Sequence, residues 1–126
     1  MYHFQELTGE VIKTFYDVYN ELGYGFLEKV YQNALCIELT QRGFKVEAQK
    51  KIRVYYKGQE VGFYIADLII NDILILELKA CECLTDDCEY QLLNYLKATD
   101  CEIGLILNFG KKPEIRRKIF HNHQKK

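Results

Sequence analysis

Three charged residues stand inside stretches that are otherwise apolar. Asp67 interrupts Phe63-Tyr64-Ile65-Ala66 and Leu68-Ile69-Ile70, and Glu77 and Lys79 fall in the run from Ile73 to Ala80. Both stretches read as β-strands, where successive side chains take opposite faces. Glu77 and Lys79 therefore point one way, and Leu76 and Leu78 the other. Asn71-Asp72 between the strands reads as a tight turn, and a hairpin closed there brings Asp67 opposite or near Glu77. Burying such charges is costly unless each finds a partner. Two carboxylates on one sheet face can hold a hard divalent cation through oxygen, with phosphate and water completing its shell. That cation would polarise a scissile phosphate and lower the pKa of an attacking water. Lys79 would then orient the water or stabilise charge on the phosphorane. A buried ion pair between Lys79 and one of the acids produces the same pattern and is the competing reading.

The elements that must position these residues follow from periodicity. Phe4, Leu7, Val11, Ile12, Phe15, Val18 and Tyr19 recur at helical spacing, and Gly23-Tyr24-Gly25 ends that helix. A second helix runs from Phe26 to about Gln41, with Gly43 at its stop. From Phe44 the period shortens: Val46, Ala48, Ile52, Val54 and Tyr56 alternate, imperfectly around Gln49-Lys50-Lys51, which predicts a strand bent or bulged in the middle. Lys57-Gly58 turns the chain into a second strand over Val61 to Ile70, and Ile73 to Ala80 is a third. Asp86-Asp87 opens a third helix reaching about Ala98. Ile103 to Phe109 is a fourth strand, and Glu114 to Phe120, after Pro113, reads as a short final helix. The order predicts a mixed α/β domain, antiparallel at first, with a parallel strand–helix–strand crossover near its end.

At 126 residues, 48% hydrophobic and 28% charged, the chain suits one compact domain with a sizeable core. A formal net charge of -1 argues against indiscriminate coating of nucleic acid but leaves room for a local basic groove. Candidates for phosphate contacts are Arg42, Lys45, Lys50, Lys51, Arg53 and Lys57 near the first hairpin, and Lys111, Lys112, Arg116, Arg117 and Lys118 near the end. No apolar run spans a bilayer, and the first residues lack a signal-peptide pattern, so a cytoplasmic protein with no membrane partner is expected. The five cysteines are then reduced thiols. Cys81-Glu82-Cys83 with Cys88 is a poor match to zinc-ligand spacing. Serine is absent, which excludes a serine nucleophile, and His3, His121 and His123 lie near the ends.

Asp67 followed by Glu77-Leu78-Lys79 resembles the D…(D/E)XK signature of the PD-(D/E)XK nucleases, with Ala66 where the superfamily's name has proline. Gly25-Phe26-Leu27-Glu28-Lys29-Val30-Tyr31 is similar to the motif that names the GxxExxY proteins of that superfamily, and the likeness runs from about Thr8 to Phe120. The resemblance implies a restriction-endonuclease-like αβββαβ core: a central mixed four-stranded sheet flanked by helices, with an extra N-terminal helix. It also implies roles. Asp67 and Glu77 would be metal ligands, joined by the Leu78 carbonyl and by Glu28, and Lys79 would be the catalytic lysine. Gln91 and Tyr95 resemble a Q-x-x-x-Y element that positions substrate or the lysine region; Tyr31 is placed with Tyr95 as substrate-positioning, and both tyrosines read as core or cleft-wall aromatics rather than catalytic acids. The implied cofactor is Mg2+ or Mn2+. The implied activity is hydrolysis of DNA, less so RNA, by a metal-activated water. The alternatives are a weakly active nucleic-acid-binding or repair-accessory module, and a structural protein built on a buried ion pair. A second copy of the chain, and repair or mobile-element proteins, are the partners the resemblance leaves open.

Overall fold

The computed structural model describes residues 4–125. Two helices lead: α1 (Phe4–Leu22) and α2 (Glu28–Gln41). Three strands follow, β1 (Val46–Tyr56), β2 (Gln59–Ile70) and β3 (Leu74–Lys79), then α3 (Asp86–Lys97), β4 (Ile103–Phe109) and β5 (Pro113–Ile119). The strands form a single mixed sheet in the order β1-β2-β3-β4-β5, in which only β3 and β4 run parallel. This is a restriction-endonuclease-like α/β architecture with the expected extra N-terminal helix.

Two tight turns fix the antiparallel half. Lys57 and Gly58 both have positive φ, as do Asn71 and Asp72, so each pair occupies the centre of a type I′ hairpin turn. The second turn sets Ile70 against Leu74 and Leu68 against Leu76, the register that carries Asp67 to Glu77.

The sheet separates two cores. On one side Leu68, Ile70, Leu74, Leu76, Leu78, Leu105 and Leu107 pack under α1 and α2, which supply Leu7, Val11, Phe15, Tyr31, Leu35 and Leu39. On the other, Ile69, Ile75 and Ile106 meet Leu92, Tyr95 and Leu96 of α3. The alternation read from β3 holds, since Leu76 and Leu78 share the α1–α2 side while Ile75 takes the α3 side.

In β1 and β2 the alternation breaks once. Val46, Leu68 and Ile70 pack on the α1–α2 side, yet Ile52 and Ala66, of the same parity, pack on the α3 side. The break lies between the pairs Ala48–Leu68 and Lys50–Ala66, where Gln49 takes a left-handed φ of 53°. The irregularity expected around Gln49-Lys50-Lys51 is therefore real, and Asp67 sits directly across from it. A further register shift follows at Val54/Tyr55.

The final element differs from expectation. Pro113–Ile119 is a fifth strand, not a helix, and the sheet is five-stranded rather than four-stranded. Ile115 and Ile119 have helical spacing, but β4 is buried along its whole length and would otherwise leave a row of backbone groups without partners. Pairing of Ile103–Phe109 with Pro113–Ile119 satisfies that edge. Pro113 stands first on the outermost strand, where its missing N–H costs nothing.

Candidate functional site

β2 and β3 part company where the charges begin. Cα pairing between the strands extends from Ile70–Leu74 to Leu68–Leu76. Beyond it, side chains take over the bridging. The Asp67 amide donates to Glu77 Oε1 at 3.2 Å, and the Leu78 amide donates to Asp67 Oδ2 at 2.8 Å. The two carboxylates thus lie together at the parted end of the strands, each held by the other strand's backbone. Glu77 is 5% exposed and Asp67 is half-buried.

Electrostatics make this pair a poor resting place for two full negative charges. Burial, followed by the nearby Asp67 charge, pushes the Glu77 carboxyl up to about 8. Burial also raises Asp67, against the lowering effect of the Leu78 amide and of the Lys79 charge. Lys79, partly exposed, acts on both acids through space. Among the described residues no ion pair joins it to either. The buried ion pair that competed for this pattern is thus not formed by direct contact, and the acids hydrogen-bond to backbone amides instead.

Two residues that the sequence reading passed over complete the mount. Gln49, at the left-handed break in β1, donates from Nε2 to Gln32 Oε1 at 2.7 Å and lies close enough to Asp67 to favour its charged form. Gln32 on α2 is 5% exposed, so a buried amide braces an amide beside a carboxylate. The only sequence signal was the broken alternation at Gln49, together with a polar residue on the apolar face of α2.

The other expected residues divide. Glu28 begins α2, is exposed, and its charge reaches Glu77. Gln91 and Tyr95 lie one turn apart on α3, and Gln91 Nε2 donates to Tyr95 Oη at 3.0 Å. Burial and the charges of Glu77 and Asp67 push the Tyr95 phenol up to about 12, so it stays protonated and borders the acidic pair. Tyr31 does not join them. It is fully buried on the α1–α2 side, stacked on Phe109 with ring centroids 4.1 Å apart, and its hydroxyl donates to the Gly23 carbonyl at 2.6 Å. It pins the loop between the first two helices and has no surface to offer a substrate, so the cleft-lining role expected of it is corrected.

Several basic residues considered for phosphate contact are engaged elsewhere. Arg42 binds Asp17 and Glu38, Lys45 binds Asp72, Lys50 binds Glu47 and Arg53 binds Glu60. Arg116 and Lys118 both bind Glu89. Lys51 lies over the Phe63 ring at 4.2 Å.

Among the described residues, no three His, Cys, Asp or Glu side chains gather closely enough to enclose a metal, which includes the cysteines after Lys79. His3 lies outside the described residues. The Asp67–Glu77 pair still fits a hard divalent cation: two carboxylates lie together at the parted strand end, and the Asp67 charge that raises Glu77 is what a cation would offset. No helix is long and apolar enough to cross a membrane.

The family model of the PD-(D/E)XK nuclease superfamily matches residues 5–118. No curated protein and no solved structure matches the chain.

Proposed function

This chain belongs to the PD-(D/E)XK nuclease superfamily, and from that premise we propose that it hydrolyses DNA phosphodiester bonds with Mg2+ or Mn2+ held at Asp67 and Glu77. The observation that carries the reading is the mutual bridging of these two acids across the parted end of β2 and β3. It leaves two carboxylates where a structural pair would need only one. The Leu78 carbonyl is the further ligand on the chain, while Glu28, which forms no three-carboxylate cluster with Asp67 and Glu77, acts on the site through its charge. A bound cation supplies Lewis-acid polarisation of the phosphate and a more acidic water.

The chain's own residues do the rest. Burial raises the Asp67 carboxyl, and the Leu78 amide, Lys79 and Gln49 work against that by favouring its charged state. Burial and then the Asp67 charge raise Glu77, so a cation held by the two acids would favour the ionised form of Glu77. Lys79, on the same face as Glu77 and not tied into an ion pair, is free to steady the attacking water or the charge that grows on phosphate oxygen. Tyr95, protonated and bonded to Gln91, borders the pair as a hydrogen-bond donor for substrate.

The test is cleavage of end-labelled single- and double-stranded DNA in Mn2+ by wild type, Glu77→Ala and Lys79→Ala. Wild type should cleave, and each variant should lose roughly a hundredfold or more in rate while keeping its fold. Folded wild type that leaves both substrates intact would overturn the catalytic assignment. A second reading, a nucleic-acid-binding module of slow turnover, is favoured by the small size and the near-neutral formal net charge of -1. It predicts binding without cleavage in the same assay.

A further inference from the structure

A cleft of about 680 Å³ opens between the far half of the β1–β2 hairpin and the C-terminal end of α3. Two tyrosines from neighbouring strands line it, Tyr55 at 60% and Tyr64 at 37% exposure. Across from them α3 contributes Asn94 and Lys97. Lys97, over the Phe120 ring at 5.6 Å, and Lys125 bring positive charge to the lining against Asp100, while Arg53 is paired with Glu60 at 2.8 Å. The Lys125 ammonium is spent on the carbonyls of Thr99 and Cys101, so it supplies field rather than contact. On a chain whose formal net charge is -1, this is a local concentration of positive charge.

The cleft neighbours the acidic pair through one of its lining tyrosines. The Tyr64 ring lies 5.1 Å from the Tyr95 ring, and the Tyr95 hydroxyl lies within reach of the charges of Asp67 and Glu77. Tyr95 is buried, so a strand whose phosphate rests at Asp67 and Glu77 would next meet the more exposed Tyr64 and then the cleft. Exposed aromatic faces beside fixed cations and a free amide are the groups that receive a nucleotide: base on ring, phosphate on cation, base edge on amide. A duplex hides its base faces in the stack and offers the tyrosines only an edge, so the rings select unpaired nucleotides.

We propose that this cleft, lined by Tyr55, Tyr64, Asn94 and Lys97, is a subsite for unpaired nucleotides of a single nucleic-acid strand flanking the phosphate at Asp67 and Glu77. The flanking position rests on the nuclease reading, whereas strand binding in the cleft stands apart from it.

Fluorescence anisotropy with a labelled oligothymidylate and with a duplex of equal length, in Ca2+ at low salt, tests the assignment. Tyr55→Ala and Lys97→Ala should each weaken oligothymidylate binding by about tenfold. Tyr55→Phe should restore it, and Lys13→Ala on α1 should leave it unchanged. Duplex affinity should move little in the Tyr55 variant. Oligothymidylate bound equally by wild type and Tyr55→Ala, parallel losses on both substrates, or no binding of the single strand by wild type would each overturn the subsite. Cleavage in Mn2+ is read separately. Tyr55-dependent binding without cleavage keeps the subsite and removes the nuclease, and cleavage with Tyr55-independent binding does the reverse.

Discussion

The two faces of the sheet are built from the same strands and do different work. On the α1–α2 side, Leu68, Ile70, Leu74, Leu76, Leu78, Leu105 and Leu107 present an unbroken apolar surface to two helices. On the α3 side the apolar residues Ile69, Ile75 and Ile106 occupy one end, and Asp67, Glu77, Lys79 and Asn108 the other. One helix of 12 residues cannot cover what helices of 19 and 14 cover opposite it. The end it leaves is where β3 carries its charges. Stability and chemistry are thereby assigned to opposite faces of one strand: Leu76 and Leu78 to the first, Glu77 and Lys79 to the second.

The sharpest way to break this contrast is to truncate one residue from each face. Leu105→Ala should cost about 2–5 kcal/mol of stability and leave turnover per folded molecule near the wild-type value, as read by urea unfolding and a metal-dependent cleavage assay. Lys79→Ala should do the opposite. Equal loss of stability in both variants would merge the two faces into one core.

A smaller effect concerns Glu77 without metal. Its folded carboxyl sits at about 8 against an ordinary 4.5. The folded state therefore holds a proton that the unfolded state has lost, and stability falls as pH rises from 4.5 towards 8. Below that window both states are protonated and no penalty exists; above it the penalty is complete, on the order of a few kcal/mol. In chelator, Glu77→Gln should melt higher than wild type at pH 8 and alike at pH 4.5, because the amide oxygen can still accept the Asp67 N–H. A melting difference independent of pH would remove the buried charge from the account.

The smallest effect tests the brace. Gln49→Ala removes the hydrogen bond to Gln32, at a cost of about 1 kcal/mol, and with it an influence that lowers the Asp67 pKa. The acidic limb of the rate profile should move to higher pH, with maximal rate reduced a few-fold. An unmoved limb would make Gln49 a merely structural residue.

Much of this was legible because local rules governed it. Asn71-Asp72 sets the hairpin register, and alternation in β3 then fixes which side Glu77 and Lys79 take. The Gln91–Tyr95 contact follows from spacing of one helical turn. What could not be read was set by distant parts of the chain. β5 is a strand because buried β4 requires an edge partner, a demand that Glu114–Phe120 does not state in its own spacing. Gln32 and Gln49 meet only once α2 lies across β1. Tyr31 looked like a cleft residue because it belongs to the Gly25–Tyr31 motif, but its face of α2 turns towards Phe109.

The most direct test of the acidic face is calorimetric titration of Mn2+ into the chelator-treated protein at pH 7, repeated in buffers of different ionisation enthalpy. Wild type should bind Mn2+ with release of close to one proton, since Glu77 starts protonated with its carboxyl at about 8, and Asp67→Asn should lose the binding. Absence of Mn2+ binding by folded wild type, or undiminished binding by Asp67→Asn, would contradict a metal centre at Asp67 and Glu77.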